Sequence, residues 1–274
     1  MQLGIFAKTF EGSEPSVVLN KAKISGYACV QYNMACSGLG AMPDQILPEI
    51  TQAIKAASVD MPIAAVSGTY NMISPLLLTR GFGMARLQVL AKACASMGTK
   101  MITLCTGTRD VEDQWRHHAD NNSKEAWHDL CVEMEKAIKI AEKNKIVLGI
   151  EPELGNVVNS AAKARALLDE MQSDHLKIVF DAVNLFETCS LDEQRHIIAS
   201  GIDILGDDIV MAHAKDRDAQ GHFVAAGNGV LDFAFYLQCL KAVDFSGPLV
   251  THGLTAAEAP AVATFLKETL NGLD

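Results

Sequence analysis

The stretch Ile146 to Asp181 constrains this chain most, because in it two apolar runs each end on a carboxylate. The first, Ile-Val-Leu-Gly-Ile-Glu-Pro-Glu, delivers Glu151 and Glu153, and the second, Leu-Lys-Ile-Val-Phe-Asp, delivers Asp181. Short β-type runs bounded by turns read as buried strands, and Asn159 to Met171 between them reads as a helix. A buried strand has little reason to end on an acid unless that end does chemistry. Further along, Ile-Val-Met-Ala-His ends on His213 and Pro-Leu-Val-Thr-His ends on His252. Four candidate ligands thus sit at four successive strand ends, roughly 30–40 residues apart, about the length of one strand–helix unit of a barrel.

The earlier part of the chain alternates in the same way. Leu3 to Ala7, Tyr27 to Tyr32, Ile63 to Val66 and Met101 to Cys105 read as strands. Asp44 is the expected N-cap of a helix from Ile46 to Ala57. A helix over Phe82 to Met97 closes on Gly98, and Ser123 caps a long helix reaching Asn144. Later helices are expected over Asp192 to Ser200, Phe233 to Ala242 and Ala256 to Leu270. Eight strand–helix alternations imply an α/β fold with a parallel sheet covered by helices. A doubly wound sheet usually carries a Gly-rich phosphate turn after its first strand. Here that turn is Lys8-Thr9-Phe10-Glu11-Gly12, without the fingerprint. The expectation is one (β/α)8 TIM barrel domain over residues 1–274.

Composition narrows the function classes. A net charge of −10 argues against a phosphate-backbone partner, so no nucleic acid is expected. No stretch approaches the roughly 20 apolar residues of a membrane span. The N-terminus enters an apolar run without a basic leader, and the seven cysteines form no C-x-x-C pair. A cytoplasmic protein with core thiols is the reading. Oligomeric state stays open, a homo-oligomer included.

Side chains at strand ends of a barrel converge on its C-terminal mouth. Two carboxylates and two imidazoles there form a mixed N/O donor set suited to one divalent ion, Mn, Zn, Co or Fe, better than to Ca. Such an ion holds vicinal oxygens of a sugar and acidifies the C–H beside a carbonyl, and a carboxylate then moves the proton. Taken singly, each residue has a plainer reading: Glu151 as a cap or ion-pair partner, Asp181 as an Asx turn, His213 as a core histidine, His252 as a cap. Four in register favour the metal site.

The runs Gly149-Ile-Glu-Pro-Glu-Leu-Gly-Asn-Val-Val-Asn-Ser160, Val179-Phe-Asp-Ala-Val-Asn-Leu185 and Ala212-His-Ala-Lys-Asp216 resemble the sugar phosphate isomerase/epimerase family with the xylose isomerase-like barrel. So do Gly227-Asn-Gly229, Leu231-Asp-Phe233 and Gly247-Pro-Leu-Val250. The resemblance implies a metal held by Glu151, Asp181 and His213, with a fourth ligand from the eighth strand. That fourth position is commonly glutamate, whereas this chain has His252. An imidazole still ligates, but without the second glutamate either His252 works as the second acid/base beside Glu151 or the reaction uses one base. Lys215 either neutralises an enolate or phosphate, or pairs with Asp216. Asn184 falls where relatives place a polar group facing substrate. Trp115, His118 and Asn121 form an aromatic and polar loop suited to a sugar ring, and Arg109 either holds an anion or pairs with Asp110. Glu153 and Asn156 are expected to support the ligands from behind, the alternatives being that Glu153 faces solvent and that Asn156 faces substrate or only shapes its loop. The implied activity is a metal-dependent isomerase or epimerase of a small sugar, keto-sugar or polyol derivative, acting through an enediolate. Alternatives are a lyase of the inosose dehydratase type and a sugar-binding barrel that has lost catalysis. A DNA repair endonuclease on the same barrel needs further metal ligands and a basic groove, and the charge argues against it.

Overall fold

A computed structural model describes residues 1–273. Eight parallel strands close into a barrel: β1 (Gln2–Phe6), β2 (Cys29–Tyr32), β3 (Ile63–Ser67), β4 (Met101–Leu104), β5 (Val147–Ile150), β6 (Leu176–Asp181), β7 (Ile209–Ala214) and β10 (Pro248–Thr251). Between the last two lies a short antiparallel hairpin, β8 (Asp216–Arg217) with β9 (Phe223–Val224). Eight helices follow the strands: α1 (Pro15–Ile24), α2 (Pro48–Ala57), α3 (Leu77–Met97), α4 (Lys124–Asn144), α5 (Ala161–Met171), α6 (Leu191–Leu205), α7 (Phe233–Ala242) and α8 (Ala259–Asn271). Among the described residues no helix is long and apolar enough to cross a membrane. All seven cysteines are free thiols.

Two cores hold the barrel. The larger one lies between the strands and the helices and takes in Val30, Leu90, Leu130, Ile150 and Phe180. The smaller one is the barrel interior, where Ala65, Val179, Met211 and Val250 meet, with Met101 packed against them. Gly149 belongs to this interior. A Cβ there would come 2.7 Å from Val179 Cγ2, so only glycine lets β5 approach β6 at this level. Side chains on one face of a strand recur every second residue. The next inward positions are therefore Ser67, Thr103, Glu151, Asp181, His213 and His252, and an apolar floor gives way to a polar ceiling in one step.

Several expected boundaries shift. Asp44 does not cap α2; Leu47 is its N-cap and Pro48 opens it, while Asp44 pairs with Arg86 at 2.8 Å. Pro48 has no N–H to satisfy and presets the helical φ, so the start moves to it. α3 begins at Leu77 and α6 runs on to Leu205, both beyond the expected limits. Ser123 and Ser160 cap α4 and α5, their side chains accepting from Ala126 N and Lys163 N, and Gly98 closes α3 in the left-handed region.

The interior contact yields a stability test. Gly149→Ala is expected to lose roughly 1–3 kcal/mol in urea denaturation, the usual cost of overpacking. Its effect should be non-additive with Val179→Ala, because the two groups compete for one space. Wild-type stability for Gly149→Ala would contradict the packing described.

Candidate metal centre

Strand register brings the site together. Asp181 and His213 are direct register partners across β6 and β7, and Val250 pairs with His213. Glu151 follows β5 and His252 follows β10 by one residue. The strand ends are fixed from behind: Thr251 Oγ1 donates to Ala214 O at 2.8 Å, and the buried Tyr236 hydroxyl lies 3.2 Å from Phe180 O and 3.1 Å from His213 O. One donor atom from each of Glu151, Asp181, His213 and His252 falls within 4.8 Å of the other three. Among the described residues no other such group of three or more potential ligands occurs.

The contacts are close. His213 Nδ1 lies 3.1 Å from Glu151 Oε1, 3.4 Å from Asp181 Oδ2 and 3.2 Å from His252 Nε2, and His252 Nε2 lies 3.8 Å from Asp181 Oδ2. Lys215 Nζ approaches Asp181 Oδ2 to 2.8 Å as an ion pair, yet no donor is aligned on this buried oxygen as a hydrogen bond. Lys215 also donates to Asn184 Oδ1 at 2.8 Å, and Asn184 Nδ2 donates to Glu151 Oε1 at 2.7 Å.

These residues fit a divalent ion. The donor set is two carboxylates and two imidazoles, and Asp181 Oδ2 is buried with an acceptor site to spare. Bonds of about 2.0–2.2 Å span little more than 4 Å across an ion, so ligand atoms within 4.8 Å need only a small inward movement.

Burial opposes charge on every member, and the neighbours decide the outcome. For Asp181, desolvation is overcome by Lys215 and the imidazoles, which hold it well below the carboxylate range. For Glu151, desolvation is likewise outweighed by His213 and Lys215, and its pKa falls. Burial would lower His213, but Glu151 and Asp181 push it up to about 9. His252 goes the other way: burial, then the positive Lys215 and His213, lower it to about 4. Glu153 is raised to about 8 by burial and by the charge of Glu151.

The cluster floors a cavity of about 1360 Å³. Trp115, Asn184 and Lys215 line it, and so does Glu153, which was expected behind the ligands. Lys215 does not pair with Asp216; that carboxylate accepts backbone N–H groups of Arg217, Gly227, Gly229 and Leu231 and ties down the following loop. Two expected substrate contacts are not brought to the cavity. Arg109 turns away to pair with Asp129 at 2.7 Å, and Asp110 instead takes Arg116. His118 accepts Asp120 N through its own ring nitrogen, and its neighbour His117 lines the cavity instead. Asn156 is wholly buried and accepts Gly107 N at 2.6 Å, so it shapes the loop rather than touching the ligands. Asn121 does similar work, accepting Arg109 N and donating to Gly155 O. The reading of the sequence missed Gln31, Phe6, Phe186 and Phe223. Gln31 left a trace, a polar residue inside the apolar run Cys-Val-Gln-Tyr, whereas Phe223 reaches the cavity only because of the hairpin.

This chain belongs to the xylose isomerase-like TIM barrel family, whose model matches residues 19–268. Solved structures share the fold at low identity. The 3-keto-D-glucoside 4-epimerase YcjR from E. coli, apo form, is 19% identical with a TM-score of 0.74, covering 100% of this chain and 98% of its own. A D-tagatose 3-epimerase-like protein is 14% identical with a TM-score of 0.78 and the same two coverages. The IolI protein with a bound zinc atom is 17% identical with a TM-score of 0.74, covering 100% and 99%. No curated protein matches by sequence.

The raised pKa of His213 predicts how metal affinity depends on pH. Below about 9 the free protein carries a proton on each ring nitrogen, and the one on Nδ1 must leave before an ion is held. Affinity for Zn²⁺ or Co²⁺ should therefore rise about tenfold per pH unit up to that point and then flatten. Calorimetry in buffers of different ionisation enthalpy measures this, and affinity independent of pH between 7 and 9 would contradict the assignment.

Proposed function

We propose that this chain is a divalent-metal-dependent isomerase or epimerase of a small sugar, keto-sugar or polyol derivative. The observation that carries the reading is the convergence of four ligand atoms within 4.8 Å on the floor of a cavity that also presents Lys215 and Asn184. The named activities of the structural neighbours, sugar epimerases among them, point the same way. Glu151, Asp181, His213 and His252 would hold one ion, Mn, Zn, Co or Fe, within a barrel that forms one domain.

When bound, the ion polarises a carbonyl oxygen and acidifies the adjacent C–H. Glu151 takes that proton. Its Oε1 is engaged by Asn184 and His213, which leaves Oε2 for the transfer and fixes the plane of the carboxylate. Lys215, buried and held positive chiefly by Asp181 and Glu151, balances the negative charge of the enediolate. His252 serves the ion rather than the substrate, because its Nε2 points into the cluster beside Asp181 and His213. The second proton transfer then falls to another group on the cavity wall. Glu153, raised to about 8 by burial and by the charge of Glu151, lies on that wall, which suits it to return a proton. Trp115, partly exposed at the rim, offers an aromatic face to a sugar ring.

One observation favours a second reading. His252 stands where the family resemblance leads to a glutamate, and a β-elimination of the inosose dehydratase type needs only one base. Both reactions begin with the same proton abstraction, and the products separate them: an epimer or isomer in one case, a dehydrated enone in the other.

The test is proton exchange with solvent. Metal-loaded protein incubated in D₂O with ketohexoses and 3-keto-glucosides should exchange the hydrogen beside the carbonyl, as followed by NMR. Glu151→Gln should slow the exchange by about 10²–10⁴-fold, the usual contribution of a positioned base. Metal content is measured alongside, because Glu151 is also a ligand. No exchange with any of these sugars by a metal-loaded protein would sink the enzyme reading and leave a sugar-binding barrel.

A further inference from the structure

Gln31 is buried on β2, paired in register with Ala65 and reaching Ser67, Thr103 and His213 with its side chain. Its amide group is fully engaged. Nε2 donates to Ser67 Oγ at 3.0 Å and to Thr103 Oγ1 at 3.1 Å, and Oε1 lies 2.9 Å from His213 Nε2. The opposite nitrogen, Nδ1, is the one that points at Glu151, Asp181 and His252.

A neutral imidazole carries one proton, and the nitrogen without it is the one that ligates. For Nδ1 to face an ion with its lone pair, the proton must stay on Nε2, and a buried N–H there needs an acceptor. Gln31 Oε1 is that acceptor. The amide cannot simply swap ends to suit the other tautomer. A swap would turn the NH₂ toward the Nε2 proton and leave two donors face to face. Ser67 and Thr103, by accepting both amide hydrogens, hold the carbonyl end on the histidine. β2, β3 and β4 contribute no ligand to the cluster, yet each places one side chain in this chain of contacts.

We propose that Gln31 is a positioning residue of the metal centre: clamped by Ser67 and Thr103, it holds the proton of His213 on Nε2 and so aims the Nδ1 lone pair at the ion. The inference rests on the metal-binding reading given above. It assigns to β2, β3 and β4 the job of fixing the tautomer of a ligand that β7 supplies. Partners of this kind behind a ligating histidine typically change metal affinity by about 10–100-fold when removed.

Two substitutions at one position separate positioning from mere packing. Gln31→Leu keeps the bulk and removes the acceptor, whereas Gln31→Glu keeps an acceptor oxygen. Affinity for Zn²⁺ is measured by competition with a chromophoric chelator on wild type and both variants, with the thermal midpoint of each metal-free protein recorded. The expected result is a loss of about 10–100-fold for Gln31→Leu and near wild-type affinity for Gln31→Glu. Should Gln31→Leu fail to fold, the Ser67→Ala/Thr103→Val pair releases the clamp while leaving Gln31 in place, and it too should weaken binding. The ¹⁵N resonances of His213 in the zinc-loaded wild type provide a direct readout, expected to show the proton on Nε2 and the metal on Nδ1. Wild-type affinity in Gln31→Leu or in the clamp variant, equal losses in Gln31→Leu and Gln31→Glu, or ligation through Nε2 would each overturn the proposal. Absence of Zn²⁺ binding by wild type would instead overturn the metal reading and this inference with it.

Discussion

Two carboxylates buried at the top of the barrel set the terms for everything around them. Glu151 and Asp181 are almost inaccessible to water, and an isolated charge in such a place costs several kcal/mol unless it is paired. Lys215 and His213 supply the pairing, and Asn184 links Lys215 to Glu151. The arrangement demands accuracy from the strands. Asp181 and His213 meet because β6 and β7 are in direct register at that level, and the Tyr236 hydroxyl approaches a carbonyl of each strand there. Removing Lys215 would leave Asp181 and Glu151 with His213 alone to balance two buried charges.

The cluster also follows from a rule of two. Val179, Met211 and Val250 fill the barrel floor, and the residues two places on are Asp181, His213 and His252. Gly149 completes the floor by leaving room for Val179, and two places on lies Glu151. The strand pattern is thus written twice, once in apolar residues that close the barrel and once in the polar side chains that converge above them. This is why the convergence of these four side chains was legible in the chain: apolar runs ended on them at barrel spacing. The closed parallel barrel was legible for the same reason.

What was not legible depends on contacts between elements. Arg109 reads as an anion site beside Asp110, but packing hands it to Asp129 on α4 and gives Asp110 to Arg116. His118 and His117 are adjacent in the chain, and only the course of the loop decides that His117 faces the cavity. Gly155 shapes that course, since a Cβ there would collide with the carbonyl of Trp115. Asp44 has the chemistry of a cap, yet Pro48 starts the helix later and Arg86 takes the carboxylate. The hairpin of β8 and β9 left no period to read, because each strand has only two residues. Gln31 was visible as an oddity in an apolar run, but its meaning came only with His213 beside it.

His252 gives this barrel its individual character. Burial, with the positive Lys215 and His213, lowers its imidazole to about 4, which favours a neutral ring whose Nε2 faces the cluster. The central claim is that Glu151, Asp181, His213 and His252 hold one divalent ion together. Anomalous diffraction at the metal absorption edge, from crystals grown with Mn²⁺ or Zn²⁺, tests it most directly. The account predicts a single strong peak bonded to one atom of each of the four residues, with His213 bound through Nδ1. A peak elsewhere, or none between these side chains in a well-ordered barrel, would contradict it.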